Sequence, residues 1–403
     1  MAQASVRLKR PLDDAALAGV GAVLGRSFAV TALDRGGEGL SATVSDDVSD
    51  ERLREALVQV LRVSRHAASE QGFAHDPADW RGEDAQPALE ARGDVRRLGP
   101  GLFAFGGAFL AVRAALDTLV QAIAARQGAA ELAYPPLWPV GVLRDINYFH
   151  DFPQLAMLAP GVAPDFAART RFSEAHRRGS GPGAIACTAE DGLAPAANAL
   201  APTVCDCCYW LLRGRSDVAD AAFTIHGTVF RNESSPAGAL ERLTAYTMRE
   251  VVVIGSEGFV LARREALLAE LEALGRGLGL RCTIEAADDP FFCNDALQKG
   301  VLQGLARLKH ELRVVAFEGR TFAAGSLNLH NDFFSRSYGY ALAGGGTAFS
   351  VCMGIGLERL AYALFCRHGL EPERWPAPVR ALLGLGAADR AGQAGLPGAA
   401  RTG

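Results

Sequence analysis

The chain has 403 residues, of which 49% are hydrophobic and 21% charged, and its formal net charge at pH 7 is -4. This composition is typical of a folded globular protein, and the charge excludes a bulk attraction to nucleic acid. The length predicts two or three domains, or one large catalytic domain with an appendage. We find no secretory leader pattern and expect no apolar run to span a bilayer, so the sequence favours a cytoplasmic protein.

Residues 1–90 are predicted to form a small α/β extension followed by a linker. Two β-type runs flank a Gly-rich turn, and an amphipathic helix with apolar Leu53 and Leu57 follows them. The polar segment 75–94 is typical of a linker. Residues 1–100 carry 13 Lys and Arg against 16 Asp and Glu, which makes this part of the chain a poor surface for phosphates.

Residues 91–385 are predicted to form one α+β domain around a mainly antiparallel sheet. A long apolar helix leads to a short strand that is stopped by Pro135 and Pro136. Segments 220–233 and 242–255 are expected to be antiparallel strands, and helix 294–310 and strands 327–342 and 346–356 are predicted further on. The Gly- and Ala-rich residues 386–403 are predicted to be a disordered tail.

Polar side chains are concentrated on one face of the two central strands. Because side chains alternate along a strand, Arg231 and Glu233 share a face of the first strand. Arg242, Tyr246 and Glu250 share a face of the second. Such a surface is costly to bury without a polar ligand, although a lattice of structural ion pairs is the alternative.

These residues resemble motif 2 of class II aminoacyl-tRNA synthetases. The segment Gly354-Ile355-Gly356-Leu357-Glu358-Arg359, followed by an apolar helix, resembles their motif 3. The helix and strand that end at Pro135 resemble the weaker motif 1. Motifs in this order are less frequent by chance than any one alone. The resemblance implies an antiparallel sheet flanked by helices, and a homodimer built on motif 1.

By this resemblance the chain would bind ATP with Mg²⁺. Arg231 would contact the α-phosphate and Arg359 the γ-phosphate, and both would act in catalysis as charge-neutralising guanidinium groups. Glu233 would accept from the adenine amino group, and Tyr246 would stack on the base where the family usually has Phe. Arg242 would belong to the same nucleotide-binding set, and the magnesium ligands are not assigned.

Three residues from separate segments resemble a zinc site of a narrower group. Cys205, Glu250 and Cys352 would supply two thiolates and a carboxylate, and the open position is typical of catalytic zinc. They resemble the ligands of atypical archaeal seryl-tRNA synthetases and of bacterial amino acid:[acyl-carrier-protein] ligases. In those proteins the metal receives the amino group of the substrate. Cys207 or Cys208 could replace Cys205, or both could be small buried hydrophobes.

Asn328 and His330 are candidates for the substrate pocket, because their segment resembles an active-site stretch of the carrier-protein ligases. A hydrogen-bonded sheet histidine is the alternative for His330.

The resemblance implies an AMP-forming ligase that activates a small amino acid, glycine or alanine, and passes it to the phosphopantetheine thiol of an acyl carrier protein. The acidic extension and the absence of a further domain after motif 3 make tRNA an unlikely partner on this interpretation. The alternatives are a seryl-like enzyme that charges tRNA and a non-catalytic regulatory paralogue.

Overall fold

The computed structural model describes residues 72–177, 190, 192–232, 239–287 and 308–385, with parts of residues 2–57. Its strands are β1 (Ala2–Arg7), β2 (Val30–Gly36), β3 (Gly39–Val44), β4 (Phe73–His75), β5 (Val95–Gly99), β6 (Leu102–Phe105), β7 (Ala130–Leu132), β8 (Leu137–Pro139), β9 (Leu158–Ala159), β10 (Asn198–Leu200), β11 (Ala221–Phe230), β12 (Ala245–Gly255), β13 (Cys282–Ala286), β14 (Lys309–Phe317), β15 (Arg320–Asn331) and β16 (Phe349–Gly356). Its helices are α1 (Gln86–Arg92), α2 (Gly107–Arg126), α3 (Val140–Arg144), α4 (Tyr148–Asp151), α5 (Phe166–Ala175), α6 (Asp206–Trp210), α7 (Glu257–Gly277), α8 (Phe333–Tyr338), α9 (Leu357–His368) and α10 (Ala377–Leu383), with a short 3₁₀ turn at Pro372–Arg374.

An eight-stranded sheet in the order β4-β13-β14-β15-β16-β12-β11-β7 forms the centre of the molecule. Neighbouring strands are antiparallel except β7, which pairs in parallel with β11. The sheet with its flanking helices confirms the predicted α+β class.

Helices α2, α7 and α9 cover one face of this sheet. Alternation along β12 directs Thr247 and Arg249 towards these helices, where Arg249 pairs with Asp117 of α2 at 2.5 and 3.0 Å. The same alternation directs Tyr246 and Glu250 to the opposite face. The candidate site therefore lies on the face away from these helices.

The sequence analysis expected no segment that could span a membrane, and helix α2 contradicts this expectation. By length and composition alone it is long and apolar enough to do so. Of its most apolar window, 33% is buried in the protein. It packs against α9 and the sheet through Val112, Leu116 and Val120, which are fully buried. Its charged Asp117 is used in the ion pair with Arg249, as in a core helix.

The first 57 residues contain a separate small sheet in the order β1-β3-β2, with buried Leu40, Leu53 and Leu57 in its own cluster. The hairpin β2–β3 agrees with the two predicted β-type runs, and β1 was not predicted. The prediction that residues 75–94 form a linker is wrong in part. Helix α1 lies within this segment and buries Leu89 in the main core. Strand β4 also precedes the predicted boundary at residue 90 and pairs with β13.

Three further expectations differ from the structure or lie outside the described residues. Arg242 lies in the turn before β12 rather than on the strand, since its backbone N–H donates to Ala239 O at 3.1 Å. Residues 333–338 form α8 instead of continuing a strand, because the chain turns at Asn331, whose φ is +50°. Glu233, most of the helix predicted at 294–310, and the tail 386–403 lie outside the described residues.

Candidate active site

The register of three central strands brings the predicted site residues to one sheet face. Glu250 of β12 lies opposite Gly354 of β16, and Cys352 of β16 lies opposite Asn328 of β15. Paired residues on neighbouring strands share a face, so these four positions form one continuous surface. The absence of side chains at Gly354 leaves room for the Glu250 carboxylate, whose Oε1 lies 3.4 Å from where a Cβ would be.

Cys205, Glu250 and Cys352 converge on this surface. Cys205 immediately precedes α6. One ligand atom from each residue lies within 4.8 Å of the other two, and all three residues are buried. Neither Cys207 nor Cys208 belongs to this group, and both are buried within the core on α6. The geometry thus selects Cys205 among the three neighbouring cysteines.

The cluster gathers the ionisable groups of Cys205, Glu250 and Cys352, and the Asp206 carboxylate lies beside them. The thiol of Cys205 hydrogen-bonds Cys352, which holds the pKa of Cys352 well below its usual range and raises that of Cys205. Burial, and then the negative charge of Cys352, raise the pKa of Glu250 to about 8. Burial raises the pKa of the adjacent Asp206 to about 6. These groups would all favour their ionised forms beside a cation.

Two neighbours orient the Cys352 sulfur. Asn328 Nδ2 donates to Cys352 Sγ at 3.7 Å, and His330 Nε2 lies 3.8 Å from the same sulfur. His330 Nδ1 in turn lies 3.4 Å from both Tyr209 Oη and Ser350 Oγ. The structure therefore brings both predicted pocket residues against a predicted metal ligand, and their contact with substrate stays a prediction.

The cluster fits a zinc ion. Bonds of ~2.3 Å to sulfur and ~2.0 Å to oxygen place the ligands of tetrahedral zinc roughly 3.5 to 4 Å apart, which agrees with the observed grouping. The buried Glu250 Oε2 has no hydrogen-bond partner in the described part of the chain, as expected of an atom that a cation would satisfy. Three protein ligands leave a fourth position open for a substrate.

Two of the residues predicted to bind the nucleotide, Arg231 and Arg359, lie next to Tyr246, four residues along β12 from Glu250. The guanidinium carbon of Arg231 lies 5.8 Å from the centre of the Tyr246 ring, and that of Arg359 lies 5.0 Å from it. Arg231 Nε also donates to Pro202 O at 2.9 Å. Gly356 borders the same ring, since a Cβ there would lie 3.6 Å from Tyr246 Cε2. Two cations and an aromatic face thus form one end of the site.

Glu358 has a structural role that the sequence analysis missed. Its carboxylate is buried and accepts from Thr247 N and Thr247 Oγ1, each at 2.8 Å, and from Arg113 at 2.9 Å. These bonds tie the start of α9, and with it Arg359, to β12 beside Tyr246. An acidic residue at the strand-to-helix junction next to Arg359 was the available signal.

Comparison with known proteins identifies relatives of two kinds, although no family model matches the sequence. Over 203 residues the chain is 38% identical to amino acid--[acyl-carrier-protein] ligase 2 of Bradyrhizobium diazoefficiens, covering 50% of this chain and 60% of that protein. Over 261 residues it is 31% identical to ligase 1 of the same organism, covering 64% of this chain and 77% of that protein. A type-2 serine--tRNA ligase of Methanopyrus kandleri is 26% identical over 284 residues, or 65% of this chain and 52% of that protein.

Solved structures agree on the fold. The seryl-tRNA synthetase of M. kandleri, crystallised with a tRNASec of A. aeolicus, superposes with a TM-score of 0.68 and 21% identity. The superposition covers 94% of this chain and 76% of that one, and so it reaches into the first 90 residues. The sheet is therefore that of a class II synthetase, and since the second relative is covered over 77% of its length at 31% identity, the chain belongs to the family of amino acid--[acyl-carrier-protein] ligases.

Proposed function

We propose that the protein activates a small amino acid, glycine or alanine, with ATP and transfers it to the phosphopantetheine thiol of an acyl carrier protein. The observation that carries the proposal is that two groups of side chains of different chemistry lie at the two ends of the candidate site, on one face of the sheet. Tyr246, Arg231 and Arg359 form a cationic and aromatic end, and Cys205, Glu250 and Cys352 form a metal-binding end. An aminoacyl adenylate has a base and phosphate at one end and an amino group at the other.

In the first step the carboxylate of the amino acid attacks the α-phosphorus of ATP, and pyrophosphate leaves. Arg231 and Arg359 would neutralise the charge that this step develops, with Mg²⁺ as the additional cation. Tyr246 would present its ring to the adenine base. Glu233, which is predicted to read the adenine amino group, and Arg242 complete the proposed nucleotide set.

Cys205, Glu250 and Cys352 would hold zinc at the opposite end. When bound, the ion would supply an open coordination position for the substrate amino group. Asn328 and His330 would fix the direction of the Cys352 sulfur, as partners of metal ligands commonly do. The buried, close-packed surroundings would favour a small side chain, since discrimination by single methyl groups depends on shape.

In the second step the carrier thiol attacks the carbonyl carbon of the adenylate. The new carbon–sulfur bond replaces the bond between that carbon and the phosphate oxygen, AMP leaves with the bonding pair, and the thiol proton is released. The two relatives from Bradyrhizobium diazoefficiens, which are ligases named for an acyl carrier protein, support this acceptor for the present chain. We also place the reaction in the cytoplasm.

A homodimer is part of the proposal. Helix α2 buries only 33% of its apolar window within one chain, which leaves apolar surface for a second copy. Light scattering of the purified protein would test this, and a monomer at micromolar concentration would contradict it.

A tRNA-charging enzyme is the second candidate. It is favoured by the superposition that covers 94% of the chain and includes part of the extension, in a structure that contains tRNA. The acidic balance of residues 1–100 speaks against it.

The decisive experiment is ATP–pyrophosphate exchange by the zinc-loaded protein with each of the twenty amino acids, followed by transfer to a holo carrier protein and to total tRNA. Exchange with one small amino acid and labelling of the carrier would support the proposal. Labelling of tRNA alone would establish the second candidate. No exchange with any amino acid would leave a regulatory paralogue.

A further inference from the structure

The turn of the hairpin β5–β6 contacts the segment that leads into β12. Gly99 and Leu102 are the last pair of this hairpin, and Pro100 and Gly101 form the turn between them. Gly101 has a φ of +64°, the left-handed conformation that glycine adopts readily after a proline in such turns. Its carbonyl oxygen accepts from Thr244 N at 2.8 Å, and Pro100 O accepts from Thr244 Oγ1 at 3.3 Å. The turn therefore holds Thr244 by its backbone and by its side chain.

Thr244 is in turn bonded to Arg231. The β11–β12 ladder ends at the pair Phe230 and Ala245, so Arg231 lies one residue beyond the ladder. At that point Arg231 N donates to Thr244 O at 2.9 Å, while Arg231 Nε donates to Pro202 O at 2.9 Å. The hairpin turn, Thr244 and Arg231 thus form one row of backbone hydrogen bonds. The place where the Arg231 side chain leaves the sheet depends on the position of Thr244.

Buried neighbours fix both sides of this contact. Phe105 of β6 stacks on the buried Phe109 of α2, with ring centres 4.7 Å apart, and this anchors the hairpin to the core. Leu240, four residues before Thr244, is fully buried, and its N–H donates to Oε1 of the buried Gln86 at 3.0 Å. Because the hairpin and the segment before Thr244 are both anchored, a change at the turn is passed along the row of hydrogen bonds.

We propose that Thr244 is a positioning residue for adenylation, which sets where the Arg231 guanidinium meets the α-phosphate of ATP. The inference rests on the proposed function, since that function gives Arg231 its contact with the phosphate. Thr244 acts through Arg231 and has no contact of its own with the nucleotide in this proposal. Small displacements matter for such a group, because a misplacement of about 1 Å can lower a rate about 100-fold.

Two variants alter the turn contact. In Gly101→Ala the new Cβ would lie 2.7 Å from Thr244 N and closer still to Thr244 Oγ1, so the turn and Thr244 must separate. Thr244→Val keeps the shape of the side chain and removes its hydroxyl group, which Thr244→Ser retains. Gly384→Ala is the matched control for the first variant. Gly384 has a φ of +66°, and a Cβ there meets nothing within 4 Å, so this variant has the same backbone strain without the contact.

Binding of ATP with Mg²⁺ is measured by calorimetry, because a loss of folded protein lowers the stoichiometry and leaves the dissociation constant unchanged. We expect the dissociation constant to rise about tenfold in Gly101→Ala. In Thr244→Val it should rise about fivefold, the effect of one hydrogen bond. Thr244→Ser and Gly384→Ala should bind as the wild type does. The Michaelis constant for the amino acid in ATP–pyrophosphate exchange should be the same in all five proteins.

A double-mutant cycle tests whether Thr244 acts through Arg231. Arg231→Ala keeps the backbone bond and removes the guanidinium, so Thr244→Val should not weaken ATP binding further in this background. A fivefold loss in both backgrounds, or unchanged ATP affinity in Gly101→Ala and Thr244→Val, would overturn the inference and leave the nucleotide role of Arg231 intact. If Arg231→Ala itself binds ATP as the wild type does, that part of the proposed function fails, and the inference fails with it.

Discussion

Gly354 controls the position of Glu250, and replacing it by alanine should weaken zinc binding without unfolding the sheet. The added Cβ would lie 2.9 Å from Met248 Cε, 3.3 Å from Glu250 Cγ and 3.4 Å from Glu250 Oε1. The Met248 methyl group is the end of a flexible chain and can move away. Glu250 is buried beside two cysteines, and so it can give way only by moving its carboxylate within the cluster.

The expected size of the effect follows from metal geometry. A shift of a few tenths of an ångström exceeds the ~0.2 Å within which metal–ligand distances are normally kept. Disturbing the groups that position a ligand typically lowers affinity about 10- to 100-fold, and we expect about tenfold for Gly354→Ala. Competition with a chromophoric zinc chelator at fixed pH measures this directly.

The matched control is Gly258→Ala, because a Cβ at Gly258 meets nothing within 4 Å. It should bind zinc as the wild type does, and both variants should keep the wild-type melting temperature within a few degrees. If Gly354→Ala binds zinc with unchanged affinity while Glu250→Gln also does, Glu250 is not a ligand and the metal end as described is wrong.

The remaining predictions concern the other parts of the site and its support. Arg359→Ala should reduce ATP–pyrophosphate exchange at least 100-fold at unchanged zinc content, and normal exchange would remove the nucleotide role. Cys352→Ser should lower bound zinc and amino acid affinity together, whereas Cys207→Ser should lower neither; a fully metallated Cys352→Ser would refute the ligand set. Arg249→Met should lower the free energy of unfolding in urea by about 2 kcal/mol, because Arg249 is buried while its partner Asp117 is partly exposed. An unchanged free energy of unfolding would mean that the ion pair contributes little to stability. A chain that starts at Gly72 should stay folded and keep exchange, because β4 and the main core remain, while an insoluble product would make the extension structural.

The periodicity of the sequence predicted the sheet face well. Strand side chains alternate, so the spacing of Tyr246 and Glu250 alone placed both on one side of β12. The pairing of the strands showed what no single strand could reveal. Gly354 lies opposite Glu250, and Cys352 lies two residues before Gly354 on the same face of β16. Assigning Cys205 to the cluster required knowing where α6 begins. Three cysteines lie within four residues, and the position of each relative to the helix decides which one joins Glu250 and Cys352.

Other features were beyond sequence patterns for identifiable physical reasons. Strand β4 has three residues, too few for a period to register, and its edge pairing with β13 comes from the tertiary fold. The contact of His330 with Cys352 depends on a bulge between Leu329 and Asn331, which shifts the register by one residue.

The two glycines of motif 3 have a common role in the site. Between Tyr246 and Glu250 the strand advances four residues, roughly 14 Å at ~3.4 Å per residue. On the neighbouring strand β16, Glu250 is paired with Gly354 and Met248 with Gly356, so no side chain rises from β16 along this stretch. A Cβ at either position would approach Glu250 or Tyr246 to within 3.6 Å. An aminoacyl adenylate would need both of its ends held with its phosphate and carbonyl between them, and the two glycines keep β16 from adding a side chain to the stretch where Met248 of β12 already lies. The glycines therefore set the depth of the site between Glu250 and Tyr246, and Arg359 lies beside the Tyr246 ring.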